Sequence, residues 1–153
     1  MLTGILAALL AAIDLCVKHW ARSQLLPGSI VTLVPGFLQL HLTTNTGAAF
    51  GLGRHHSWLV TSLAVTIFLA LCWLSWQRRH LLLDSLGYGF ILGGALGNLA
   101  ERFTLHQVTD YIEFACFSFP IFNLADVFID FGVGFILLSQ LWKSRKSANA
   151  RGY

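Results

Sequence analysis

The sequence predicts a mainly α-helical, polytopic membrane protein with four transmembrane helices and a small β-structured element at one membrane surface. Three observations predict it. Hydrophobic residues make up 56% of the chain and charged residues only 11%, with a mean hydropathy of +0.67, too apolar for a soluble domain of 153 residues. Four stretches reach the roughly 20 apolar residues that a helix needs to cross a hydrocarbon core. Between the first two lies a β-branched, aromatic segment with turn residues at its centre. No internal repeat, low-complexity run or linker divides the chain, so residues 1–153 are expected to form a single integral membrane domain.

The first span is residues 2–21. It does not read as a cleavable signal peptide, because no basic residue precedes "LTGILAALLAAIDLC" and Asp14 and Lys18 interrupt the place where a cleavage site would follow. Asp14 also argues against lipid modification of Cys16. The segment after it, residues 22–56, contains "SIVTLVPGFLQLHLTTN", with Pro35 and Gly36 as turn residues, and predicts a small sheet on the outer surface. The second span, 57–76, carries no charge and places Trp58, Trp73 and Trp76 toward its ends, where indoles favour the interface.

The third span, 81–100, is rich in small residues. Gly93 and Gly97 share a helical face and allow a neighbouring helix close approach. Packing explains these glycines better than ligand binding does. In the second outer segment, 101–120, "LHQVTDYIEFACFSFP" alternates only partly: Val108, Asp110, Ile112 and Phe114 would face one way, Thr109, Tyr111 and Glu113 the other. A short strand and an interfacial helical turn both fit. The fourth span is residues 121–142.

Cytoplasmic loops retain Lys and Arg. Arg78 and Arg79 lie between the second and third spans, and Lys143, Arg145, Lys146 and Arg151 follow the fourth. Both chain ends are therefore expected in the cytoplasm, with segments 22–56 and 101–120 outside. The net charge of +3 needs nothing beyond this bias, and no nucleic-acid patch is seen. Cys16, Cys72 and Cys116 have no metal-ligand spacing and read as free thiols of packing value. The histidines, with only His55 and His56 adjacent, form no zinc set. Neither metal nor cofactor is expected.

The spans are interrupted by polar residues, and intramembrane polar residues are where function is sought. Asp14 and Lys18 lie four apart, as do Asn98 and Arg102; Asn123, Asp126 and Asp130 form a stripe at offsets of three and four. With Asp110 from the outer segment, all lie toward the outer leaflet. Each charge costs several kcal/mol at the bilayer centre and less near the interface, so the groups must compensate one another or face water. Two carboxyls sharing a proton across a water are the chemistry of aspartic proteolysis: one takes a proton from the water, the other donates to the scissile carbonyl oxygen. Spacing does not say which acids pair. Asp126 with Asp130, on one helix, and Asp110 with Asp126, from different elements, both remain open.

At these residues the chain resembles the bacterial lipoprotein signal peptidases, the signal peptidase II family. The matching stretches are "DLCVK" (Asp14 to Lys18), "NTGAAFGLG" (Asn45 to Gly53), "GGALGNLAER" (Gly93 to Arg102), "VTDYIEF" (Val108 to Phe114) and "FNLADVFIDFG" (Phe122 to Gly132). Their order and spacing cover nearly the whole chain. The resemblance implies an aspartyl endopeptidase of the bacterial inner membrane with four helices, a β-structured cradle and an active site on the periplasmic side. It implies Asp110 and Asp126 as the catalytic dyad. Supporting positions carry over as Asp14, Asn45, Gly47, Asn98, Arg102, Asn123 and Ala125; Lys18 joins them as the partner of Asp14. Arg102 would offset the dyad's charge, Asn123 would orient Asp126, and Phe50 would anchor the loop after Asn45 in the interface. The implied substrate is a prolipoprotein bearing diacylglycerol on its cysteine, cleaved just before that cysteine. Partners are then this substrate and membrane lipid, and the chain is expected to be monomeric. Val17, Glu101, Tyr111 and Val127 depart mildly from the family pattern, and Asp130 is an added acid.

Two other classes make different demands. A proton-coupled transporter needs an acid near the midplane reachable from both sides, whereas these acids cluster at the outer end. A non-enzymatic assembly factor predicts that neutralising Asp110 or Asp126 leaves activity intact.

Overall fold

The computed structural model describes residues 1–47, 57–77 and 81–151. Along the chain run α1 (Leu2–Gln24), β1 (Ile30–Val34), β2 (Leu38–Asn45), α2 (Ser57–Gln77), α3 (Leu82–Leu105), β3 (Val108–Phe114) and α4 (Leu124–Arg151). Phe50, the block from Ala48 to Gly53, His55 and His56, and the orienting Arg78 and Arg79 lie outside the described residues.

Among the described residues, three helices are long and apolar enough to cross a membrane: α1, α2 over Trp58–Gln77, and α4 over Leu124–Lys146. The third helix has the length, 24 residues, but glycines together with Asp84, Asn98, Glu101 and Arg102 thin its apolar content. The reason is its place between α1 and α4. Its buried face, which includes Gly87, Gly89, Gly93, Gly94 and Gly97, meets protein rather than lipid, so small residues serve better than large ones. A Cβ on Gly93 would lie 2.8 Å from Leu10 Cβ of α1; one on Gly94 would meet the Ala125 carbonyl of α4, and one on Gly97 the Asp14 carboxylate. The expected close approach at Gly93 and Gly97 is therefore to α1, with Gly94 serving α4.

Helix ends differ from the expected spans in ways that matter to the site. The first helix continues past Ala21 to Gln24, which makes Arg22 helical, and α3 continues past Ala100 to Leu105, ending where His106 turns into the left-handed region at φ 58°. The fourth helix begins at Leu124 rather than Ile121. Phe122 is instead drawn into an isolated bridge with Ile112. There the Tyr111 and Ile112 N–H groups donate to Phe122 O at 3.0 and 2.8 Å, and Phe122 N–H returns to Ile112 O at 3.0 Å.

The three strands form one antiparallel sheet in the order β1-β2-β3. Its first turn closes through Phe37 N–H to Val34 O at 3.0 Å, with Pro35 setting φ and Gly36 taking φ +69°. Of the two readings open for the second outer segment, the strand is observed. Its alternation is not: Val108, Thr109, Asp110 and Tyr111 are all buried, because the first half of β3 is wedged between the helices on one face and a cavity on the other. Ala21 of α1 and Leu25, just past its end, pack with Leu40 and Tyr111 to weld sheet to bundle. Cys16 and Cys116 are exposed, so the packing role expected of them is not observed.

Candidate active site

Asp14 and Lys18, one turn apart on α1, are both completely buried, with Lys18 Nζ 2.8 Å from Asp14 Oδ2. The other carboxylate oxygen of Asp14 accepts the Ala125 N–H at 3.0 Å, satisfying one of the donors that the first turn of α4 leaves free. Lys18 Nζ also donates to Asn98 Oδ1 at 2.6 Å. The geometry is that of a brace: the pair ties α1 to α3 and α4, and Lys18 is not among the residues that line the cavity described below.

Asn98 passes the connection on, its Nδ2 donating to Asp126 Oδ1 at 3.0 Å. Asp126 sits in the first turn of α4, and Asn123, outside the helix, caps it. The Asp126 N–H donates to Asn123 Oδ1 at 3.1 Å, and the Asn123 N–H donates to Asp126 Oδ2 at 3.2 Å. This reciprocal pair is a capping box built from Asn and Asp. Asn123 is thus not part of a helical stripe with Asp126 and Asp130; it fixes the Asp126 carboxyl from the helix mouth. Its remaining donor, Nδ2, points to Asp110 Oδ1 at 2.6 Å and, more distantly, to Asn98 Oδ1 at 3.3 Å.

Asp110 arrives from β3, only 4% exposed. Burial pushes its carboxyl up to about 6; the Asn123 hydrogen bond pulls the other way, the charge on Asp126 adds to the rise, and hydrogen bonding by Asn45 opposes it. Asp110 and Asp126 both line a cavity of about 930 Å³, together with Asn45, Asn98, Arg102 and Asn123. Arg102 Nη2 donates to Gly47 O at 3.0 Å, and Gly47 N–H donates to Asn45 Oδ1 at 2.9 Å. Arg102 therefore ties Gly47, just past β2, to α3 as well as bringing its charge to the cavity wall. Below Asp126 the cavity runs along α4 past Ile129, Asp130, Phe131 and Leu138. An arrangement of two carboxyls, fixed by amides and opening on an apolar groove, suits water activation beside a membrane-embedded chain.

The whole-chain comparisons agree with this architecture. The family model described as Signal peptidase (SPase) II matches residues 6–142. The chain belongs to the signal peptidase II family. It is a peptidase, and it is similar over most of its length to named family members. The lipoprotein signal peptidase of Gloeobacter violaceus is 39% identical over 149 residues, 95% of this chain and 86% of that protein. That of Parasynechococcus marenigrum is 42% identical over 144 residues, 93% of this chain and 89% of that one. A solved bacterial membrane enzyme, determined in meso at 2.3 Å, shares the fold with a TM-score of 0.86 at 24% identity, covering 99% of this chain and 92% of that one.

The structure thus gathers Asp14, Lys18, Asn98, Asn123, Ala125 and Asp126 into one network with Asp110, and places Asn45, Gly47 and Arg102 at its mouth. Sequence reasoning missed a second buried cluster behind Asp110. Glu101 is buried and accepts from Thr109 N–H at 2.7 Å and Thr109 Oγ1 at 2.9 Å, and it pairs with Arg22. Tyr111 was noted only as a departure; its hydroxyl accepts the Leu124 N–H at 3.3 Å, another of the free donors at the start of α4. The clue to Glu101 was its position three residues after Asn98, on the same face of α3.

Proposed function

We propose that this peptidase is an intramembrane aspartyl endopeptidase that removes the signal peptide from diacylglyceryl-modified prolipoproteins, cleaving before the lipidated cysteine. The observation that carries the reading is the meeting of Asp110 and Asp126 on one cavity wall, each held by the amide of Asn123 or Asn98. In the proposed reaction one carboxylate takes a proton from a water between the pair, and the other carboxyl donates to the oxygen of the scissile carbonyl. Both carboxyls face the same cavity, so the two roles are given to the dyad and not to either residue alone. Asn98 and Asn123 hold the carboxyls, and Arg102 tempers the negative charge that the cavity gathers.

The names of the relatives support the substrate class, since the similar proteins of Gloeobacter violaceus and Parasynechococcus marenigrum are named lipoprotein signal peptidases. The groove beside Phe131 and Leu138 offers the acyl chains an apolar surface next to the dyad. In this reading α3 crosses the inner membrane with the other three helices as one domain. Both chain ends lie in the cytoplasm, the dyad sits at the periplasmic side, and the monomer is sufficient.

The test uses purified protein in detergent with a diacylglyceryl-modified prolipoprotein, comparing wild type with Asp110→Asn, Asp126→Asn and Asp130→Asn, each checked for folding. Loss of cleavage in the first two, with Asp130→Asn active, supports the dyad. An inactive Asp130→Asn beside an active Asp110→Asn overturns it in favour of a pair along α4.

A further inference from the structure

The two carboxyls ride on different elements, Asp126 on α4 and Asp110 on β3, and something must set the distance between them. The third helix reaches both. Asn98 donates to Asp126 Oδ1 at 3.0 Å. Three residues on, Glu101 takes both the backbone N–H (2.7 Å) and the hydroxyl (2.9 Å) of Thr109, the residue before Asp110. We propose that α3 sets the separation of the dyad, with Glu101 the positioning residue for Asp110 as Asn98 is for Asp126. This rests on the dyad reading above and names a residue that the reading does not use.

The surroundings of Glu101 suit that task. Glu101 is 2% exposed and Thr109 1% exposed, so neither contact is exchanged with water and the bonds act in a medium of low polarity. Arg22 of α1 pairs with Glu101 Oε1 and also donates to Thr109 Oγ1 at 2.9 Å; Lys18 Nζ stands 3.8 Å from Glu101 Oε2. A buried carboxylate is tolerated only when paired in this way. Glu101 is thereby fixed by α1 while it fixes β3. A strand amide that would otherwise be left without a partner at the edge of the sheet is tied to the helix, and the next side chain along the strand is the Asp110 carboxyl. A misplacement of about 1 Å at a reacting group costs on the order of 100-fold in rate, so a peptide anchor one residue away matters to turnover rather than to substrate capture.

The experiment measures kcat and KM for diacylglyceryl-modified prolipoprotein with Glu101→Gln, Thr109→Val and Thr109→Ser, alongside thermal unfolding of each. Glu101→Gln keeps the shape but cannot accept both Thr109 bonds and pair with Arg22; kcat is expected to fall about 10- to 100-fold with KM within about twofold. Thr109→Val, which keeps the N–H bond, should lose less, and Thr109→Ser, which restores the hydroxyl, should recover most of that loss at equal unfolding temperature. If Glu101→Gln does not fold, the Val and Ser pair at 109 decides the matter. Unchanged kcat in the folded variants, with only the unfolding temperature lowered, overturns the proposal and makes Glu101 purely structural. If instead Asp110→Asn itself cleaves normally, the dyad reading has failed, and that result is distinguishable from the failure of Glu101 alone.

Discussion

Asn123 Nδ2 lies 2.6 Å from Asp110 Oδ1, while the same side chain's Oδ1 accepts the backbone N–H of Asp126 at 3.1 Å. One amide therefore caps α4 and aims a carboxyl on a separate strand. The two duties can be pulled apart. Serine is as good an N-cap as asparagine but has no amide to reach Asp110. Asn123→Ser is expected to keep the unfolding temperature within a few degrees of wild type while kcat/KM falls about 100-fold. Asn123→Ala is expected to lose both, with a further stability cost of about 1 kcal/mol from the missing cap. Equal activity of the Ser variant and wild type would show that the bond to Asp110 is idle.

The Asp110 carboxyl, at about 6 chiefly through burial, is neutral below that pH and charged above it. The charge on Asp126 contributes to the rise, so Asp126→Asn is expected to move the midpoint downward, though not to the ordinary carboxylate range, because burial remains. Carboxyl ¹³C NMR of labelled protein in micelles measures it; a midpoint that stays or climbs refutes the coupling. Linkage adds a stability test. The folded midpoint lies above that of an unfolded aspartate, about 3.9, so the group's contribution is fully present below about pH 4 and is lost as pH rises through about 6. Asp110→Asn should flatten the pH dependence of unfolding within that window.

The helices were legible because lipid leaves a chain few choices: an uncharged run such as Ser57–Gln77 has no other fate. The first hairpin was legible through Pro35 and Gly36, which supply the φ values its turn needs. The nature of residues 108–114 was not, since a strand whose first half is buried on both faces loses the alternation that would announce it. The start of α4 was misread for a related reason. Apolar residues already begin at Ile121 and Phe122, ahead of the helix, and only the spacing of Asn123 to Asp126 marks the true boundary. Arg22 and Glu101 were each placed at the start of an outer segment, because a sequence shows which residues are polar and not which of them meet across helices.

Close packing at α3 carries a sharp consequence. A Cβ on Gly97 would meet the Asp14 carboxylate, whose oxygens are committed to Lys18 and to Ala125 N–H. Gly97→Ala must either part the helices or displace Asp14, at a cost of about 1–3 kcal/mol for overpacking and more if Lys18 loses its partner. Gly4→Ala on α1, with nothing within 4 Å of the added carbon and away from the cavity, is the control. Unfolding in mixed micelles should separate the two clearly, with the α3 variant also losing activity; equal stability would mean that α1 can shift without strain.

The Asp14–Lys18 pair allows stability and catalysis to be dissected in one cycle. Both side chains are fully buried; removing Lys18 strips Asp14 of its ion-pair partner, and removing Asp14 leaves Lys18 only the more distant Glu101 at 3.8 Å, typically a loss of about 3–5 kcal/mol for a broken buried pair. Lys18→Met and Asp14→Leu are each expected to destabilise the protein to this degree. The double variant replaces both charges by apolar groups of comparable size and should recover much of the loss, since buried pairs are often no better than apolar replacements. Activity should not recover with it. Lys18 also donates to Asn98 at 2.6 Å, and Asn98 in turn holds Asp126, so the double variant is expected to fold yet cleave at least about tenfold more slowly in kcat. The cycle is read by unfolding and by single-turnover cleavage on the same preparations. A double variant that is as unstable as either single one would mean that the pair is indispensable to assembly through Ala125 N–H; one that regains full activity would mean that Asn98 needs no ammonium behind it to hold Asp126.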